Sequence, residues 1–128
     1  MNKFRFLFVL IIISFFSLSF AAFSANSEIS LGEVFGRARS STLYYTAARM
    51  GALGYGRYNE MFNSGYSNTD IQLAMMQDFQ KKIQERDTSF TKNMLNHMRS
   101  GAYGFADENH GILIERYYYQ LFGPMPIL

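Results

Sequence analysis

The stretch "TDIQLAMMQDFQKKI", residues 69–83, carries the clearest structural pattern in the chain. It opens with a capping-box pattern from Thr69 to Gln72, in which side chains bind amides that a helix start leaves free. Apolar residues then recur at the spacing of one helix face: Ile71, Ala74, Met75, Phe79 and Ile83. Charged residues four positions apart predict two ion pairs on the opposite side: Asp78 with Lys82 and Lys81 with Glu85. The stretch therefore predicts an amphipathic α-helix.

The segments before and after this stretch show similar helical spacing. The pattern "SLGE", which starts at Ser30, is a capping box and predicts a first helix that continues to about Met50. The segment "ERDTS" at 85–89 either ends the preceding amphipathic helix or is a polar turn within one long helix. In the first case Asp87 or Thr88 begins a third helix, because both residue types cap helix starts. We expect it to end at Gly101, since glycine commonly follows the last residue of a helix.

A fourth helix is predicted from about Asp107 to Phe122, where a Gly-Pro pair stops it. Its core face is apolar: Leu113, Ile114, Tyr117, Tyr118 and Leu121. Ile112 and Tyr119 fall nearly opposite that face. A helix with apolar side chains on two sides is either sandwiched within a protein or offers its second side to a partner.

The mature chain as a whole predicts an all-α fold. No segment shows the sustained alternation of a strand, and proline is absent until position 124. We expect one small domain over residues 25–128, a bundle of about four helices with an apolar, proline-containing tail at residues 123–128. That tail either docks on the bundle or inserts into a partner.

Residues 1–24 have the pattern of a secretory signal peptide. Lys3 and Arg5 precede an apolar run, and small residues near positions 21–25 fit a signal peptidase. The alternative is an uncleaved anchor in the inner membrane, because residues 6–23 form a span of 18 residues. Both interpretations of residues 1–24 predict that the remaining chain is exported, to the periplasm or out of the cell. The chain would contact the membrane only if this segment stays uncleaved.

Charge and cysteine content narrow the functional classes. Without Lys3 and Arg5 the chain has ten basic and ten acidic residues, so it lacks the positive charge that nucleic-acid binding requires. The chain has no cysteine, which excludes a lipid-anchored lipoprotein, a thiol nucleophile and disulfides. We therefore expect no nucleic-acid partner.

Two similar glycine segments lie fifty residues apart: "GALGYGRYN" at 51–59 and "GAYGFADEN" at 101–109. The spacing G-x-x-G-x-G and the helical residues before it do not match the dinucleotide-binding fingerprint, which follows a strand. The glycines indicate close-packed turns between helices. The similarity reflects either a duplicated unit or two similar helix ends.

The chain contains no recognisable catalytic or metal-binding pattern. His110 lies beside Asp107 and Glu108, but acidic residues at a helix start already stabilise the helix dipole. We expect no catalytic residue, no metal and no cofactor, and hence no enzyme. The alternative is a small-molecule or glycan-binding protein, or a hydrolase of undefined specificity, that uses Asp107, Glu108 and His110.

Nine tyrosines remain in the mature chain, more than a core of this size needs. Tyrosine joins a large ring to a polar tip and is common in protein interfaces. We therefore predict binding to another protein or self-association, as in an inhibitor, an immunity-type protein or a subunit of an envelope complex. The candidate contact residues are Tyr44, Tyr58, Ile112, Tyr119 and Phe122.

Overall fold

The computed structural model describes residues 28–127, which form six α-helices and no strand. The helices are α1 (Leu31–Gly36), α2 (Ser40–Ala52), α3 (Arg57–Asn63), α4 (Asn68–Gln84), α5 (Thr88–Gly104) and α6 (Glu108–Phe122). The all-α prediction is confirmed, with six helices in this part of the chain rather than about four. The predicted signal peptide lies outside the described residues.

The additional helices come from the first half of the chain. Ser30 caps α1 as predicted, because its Oγ accepts a hydrogen bond from the Glu33 amide at 3.1 Å. The predicted first helix is then interrupted after Gly36, a residue type that weakens a helix, and α2 follows an extended Arg39. The seven-residue α3 shows no periodicity from which it could be predicted.

Helices α4, α5 and α6 begin at N-cap residues spaced by twenty positions. In each helix the cap side chain accepts a hydrogen bond from the backbone amide three residues later. The pairs are Ser67 with Asp70 (3.1 Å), Asp87 with Phe90 (3.2 Å) and Asp107 with His110 (3.4 Å). The predicted starts of α5 and α6 are confirmed, whereas the cap of α4 is Ser67, two residues before the predicted cap Thr69.

The ion pairs around α4 differ from those predicted. Asp78 binds Arg57 of α3 at 2.9 Å, while Lys82 lies 3.9 Å from Glu85 and 3.7 Å from Asp87. The guanidinium of Arg57 replaces Lys82 at Asp78 because α3 packs beside α4. Neither predicted i,i+4 pair occurs among the described residues.

Helix α5 is the centre of the bundle. It packs against α2 on one side and α6 on the other, and α2 and α6 do not contact each other. The prediction that Gly101 ends this helix is wrong, since α5 continues to Gly104 and Gly101 is buried within it. A Cβ atom at Gly101 would lie 3.0 Å from Cδ1 of Tyr45, so the glycine allows α2 and α5 to approach closely.

None of the helices within residues 28–127 combines the length and the apolar character needed to cross a bilayer.

Candidate functional site

Helix α6 has one buried side and one exposed apolar stripe. Ile112 is 47% exposed and Tyr119 is 66% exposed. They are seven residues apart, so they lie on the same side of the helix about two turns from each other. The buried side of α6 comprises His110, Gly111, Ile114, Tyr117 and Tyr118. We call Ile112 and Tyr119, with Arg116 between them, the α6 face.

A shallow hollow of about 310 Å³ adjoins the α6 face. Arg116, Tyr119, Gln120 and Ile29 line it. The side-chain amide of Gln120 holds the backbone of Ile29 with two hydrogen bonds. Its Oε1 accepts from the Ile29 amide at 2.8 Å, and its Nε2 donates to the Ile29 carbonyl at 2.9 Å. The beginning of the described chain is therefore fixed beside this face.

Two other predicted contact residues lie away from the α6 face. Phe122 is partly buried, with its ring edge-to-face against Tyr118 at 5.2 Å and the Nζ of Lys92 5.2 Å from its centroid. Tyr44 is exposed but lies on α2, where its ring packs edge-to-face against Phe62 at 5.5 Å. Tyr44 is not part of the α6 face, since it lies on α2 and α2 does not pack against α6.

Tyr58 is a core residue, which corrects the prediction that it contacts a partner. It is 1% exposed, and its hydroxyl donates to Oδ2 of Asp78 at 2.7 Å. Burial and this bond to a carboxylate raise the pKa of Tyr58 above its ordinary value of 10. The sequence suggested an exposed turn, but residue 58 lies in α3 and faces α4.

The segment "DENHG" connects the start of α6 to α1 and to Arg39, the residue before α2. Asp107 caps α6, and its Oδ2 lies 3.2 Å from Nε of Arg39. His110 is 2% exposed, and its Nε2 lies 2.7 Å from the carbonyl oxygen of Val34 in α1. Since a carbonyl only accepts, Nε2 carries the proton and donates. Of the three residues in the ligand-binding alternative, only Glu108 has an exposed side chain without such a contact.

The environment of His110 favours its neutral form. Burial lowers the pKa of His110, and the bond to the Val34 carbonyl opposes this only in part. Its Nδ1 has no hydrogen-bond partner among residues 28–127. A neutral imidazole with one bonded nitrogen fits a structural role in the core.

Arg99 is buried on α5 without a carboxylate partner in the described part of the chain. Its Nη2 donates to Oδ1 of Asn96 at 3.2 Å, and its Nε has no partner there. One turn further along α5, the hydroxyl of Tyr103 donates to Oε1 of Glu115 at 2.8 Å, and this bond raises the pKa of Tyr103. The Tyr103–Glu115 bond joins α5 to α6.

A second concave site lies at the first glycine turn. A cavity of about 360 Å³ is bounded by residues 54–58, by α4 and by Phe90 of α5. Its charged lining residues are Arg57, Asp78, Lys81 and Lys82. This site was not predicted from the sequence because its residues come from three segments, and only the pattern "GYGRY" marked one of them.

No group of three histidine or carboxylate side chains that could hold a metal ion occurs within the described residues. Comparison of the chain with protein-family models, with curated proteins and with solved structures found no match. A function for this chain must therefore be inferred from its own geometry.

Proposed function

We propose that this chain is an exported helical protein that acts by binding another protein through the α6 face. The observation that carries the proposal is the exposure of Ile112 and Tyr119 on one side of a helix whose other side is buried in the core. Two large apolar side chains two turns apart on a helix are a common arrangement of interface anchors.

The chemistry of the α6 face supports a protein partner. Tyrosine and arginine are enriched among the residues that dominate interface energies, and Tyr119 and Arg116 lie beside Ile112 on this face. The adjoining hollow offers a concave surface for a partner side chain. An inhibitor, an immunity-type protein or a subunit of an envelope complex would bind in this way.

Export is the second part of the proposal and has its own test. Residues 1–24 resemble a cleaved signal peptide, and an uncleaved segment would instead anchor the chain in the inner membrane. The intact mass of the protein from its native cells distinguishes the two. A mass of 14.8 kDa indicates an uncleaved chain, and a loss of about 24 residues indicates release.

The contact face is tested by affinity capture from the native envelope with the protein tagged at its C-terminus. We expect a protein to be captured and to be lost with the double variant Ile112→Ala and Tyr119→Ala. Tyr44→Ala is the matched control, since it removes an equally exposed tyrosine outside the α6 face. If the double variant still captures the protein, the α6 face is not the interface. If capture is lost only with Tyr44→Ala, the interface lies on α2.

Self-association is the alternative occupant of the same face. Sedimentation of the purified protein distinguishes it from a different partner. A dimer that dissociates in the double variant would show that the partner is a second copy. A monomer that captures nothing from the envelope would overturn the protein-binding proposal.

A further inference from the structure

The cavity at the first glycine turn combines an aromatic wall with three basic side chains, Arg57, Lys81 and Lys82. The wall is the half-buried ring of Tyr55, and Phe90, which is only 2% exposed, packs edge-to-face behind it with the centroids 4.8 Å apart. Its volume of about 360 Å³ lies at the lower end of the range for small-molecule sites, about 300–1,000 Å³. The site is separate from the α6 face and does not depend on the proposed function.

The cations of the cavity are only partly neutralised. Three basic side chains line it against one carboxylate, and both oxygens of that carboxylate, Asp78, are bound by Arg57 and Tyr58. Arg57 uses only Nη1 for Asp78. Its other donors are not bonded within residues 28–127, so they remain available to an anion.

The two lysines differ in what surrounds them. Lys82 lies near Glu85 and Asp87, with its Nζ 5.7 Å from the centroid of Phe90. Lys81 is exposed and has no carboxylate within ion-pair distance in the described part of the chain. Lys81 is therefore the side chain most available to a bound anion.

Gly56 lines the cavity, although the fold does not require a glycine at this position. Its φ of −78° and ψ of −1° are accessible to any residue, and a Cβ atom there would meet nothing within 4 Å. Packing and backbone conformation thus do not demand glycine at this position. A larger side chain would occupy the space that the cavity leaves free.

We propose that this cavity binds a small ring-bearing anion, with Lys81 and Arg57 holding its phosphate or carboxylate group and the aromatic wall formed by Tyr55 contacting its ring. The acidic group requires the free donors of the two cations, and the ring requires the aromatic wall. An anion without a ring, or a ring without a charge, uses only half of the site.

The test is an NMR titration of the protein produced from the whole chain, followed through the backbone amides of residues 54–58. Phenyl phosphate, inorganic phosphate and phenol serve as probes. We expect phenyl phosphate to shift these amides and to bind about tenfold more tightly than either of the other two. Absence of shifts with phenyl phosphate overturns the proposal, and equal binding of inorganic phosphate overturns the role of the aromatic wall.

Variants locate the binding. Lys81→Gln is expected to weaken the binding of phenyl phosphate about fivefold through the loss of one exposed charge interaction, and Gly56→Val to weaken it by narrowing the cavity. Lys92→Gln is the matched control, because Lys92 lies near Phe122 at the α5–α6 interface. If Gly56→Val fails to fold, Lys81→Glu replaces it, with loss of binding expected. An equal effect of Lys92→Gln and Lys81→Gln would show nonspecific attraction and overturn the site.

Discussion

Residues 51–59 and 101–109 share glycine, alanine, glycine and asparagine at equivalent positions but fold differently. In the first segment α2 ends at Ala52 and α3 begins at Arg57, whereas in the second α5 continues through Gly104 and α6 begins at Glu108. The helix boundaries do not follow the similarity in sequence. Glycine alone therefore does not determine where these helices end.

Each turn contains a hydrogen bond from an amide to the carbonyl five residues earlier, but the two bonds lie at different positions in the two segments. The Tyr55 amide donates to the Met50 carbonyl at 2.9 Å, and the Asp107 amide donates to the Ala102 carbonyl at 2.8 Å. The second turn is followed at once by Asp107, whose side chain caps α6, while Gly56 offers α3 no side chain. The comparison indicates that the cap residue, more than the glycine, selects the start of the next helix.

The largest expected difference concerns the first glycine of each segment. Gly101→Val should reduce the free energy of unfolding by about 2–3 kcal/mol, because its methyl groups meet Tyr45 and Thr42 between two packed helices. Gly51→Val should reduce the free energy of unfolding by less than about 1 kcal/mol, since a Cβ atom there meets mainly the movable end of the Asn59 side chain. Chemical denaturation of both variants measures the difference, and equal losses would contradict it.

The cap at Asp107 gives the next largest effect. Asp107→Ala should reduce the free energy of unfolding by about 1–2 kcal/mol, because it removes both the cap of α6 and the ion pair with Arg39. Asp107→Asn retains a capping oxygen and should recover most of that loss in thermal unfolding. A loss in the asparagine variant as large as in alanine would assign the effect to the ion pair instead of the cap.

Each turn also has one residue with positive φ. Exchanging glycine and alanine at these two positions should give smaller effects on stability, of opposite sign in the two turns. Gly54 has φ +95° and Ala106 has φ +59°, so an alanine occupies a conformation that glycine adopts more easily. Ala106→Gly should raise the free energy of unfolding by about 0.5–1 kcal/mol, and Gly54→Ala should lower it by a similar amount. Denaturation midpoints that move the same way for both would contradict this account.

The smallest effect is the pH dependence contributed by His110, which follows the second segment. Burial lowers the pKa of His110 below its ordinary value of 6.5, so the unfolded chain binds the proton more tightly than the folded chain. The contribution to stability is fully present above about pH 6.5 and is lost as pH falls toward the folded-state pKa.

His110→Gln should reduce that loss, because glutamine retains a donor for the Val34 carbonyl but does not titrate. Unfolding free energies measured between pH 7.5 and 5 test the change in slope. His97→Gln is the comparison, since burial and Arg49 lower the pKa of that histidine as well. An unchanged slope in the His110 variant would assign the acid sensitivity to other groups.

Local signals in the sequence predicted local structure well. The caps at Ser30, Asp87 and Asp107 and the end of α6 at Phe122 were predictable, because each depends on a few adjacent residues. The two-sided character of α6 also followed from its own periodicity.

Features that depend on packing between segments were not predictable. Gly101 looked like a helix end because nothing nearby in sequence shows that Tyr45 packs against it. Tyr58 looked like an exposed turn residue, since its partner Asp78 lies twenty positions away. The glycine-turn cavity combines three segments, so only the folded arrangement brings its charges together.

The two hydrogen bonds between Gln120 and Ile29 have a consequence for the timing of folding. They join residues 91 positions apart, and Gln120 belongs to α6, the last helix of the bundle. Helix α1 can pack against α4 earlier, but Ile29 acquires these two hydrogen bonds only after α6 has been synthesised and has emerged.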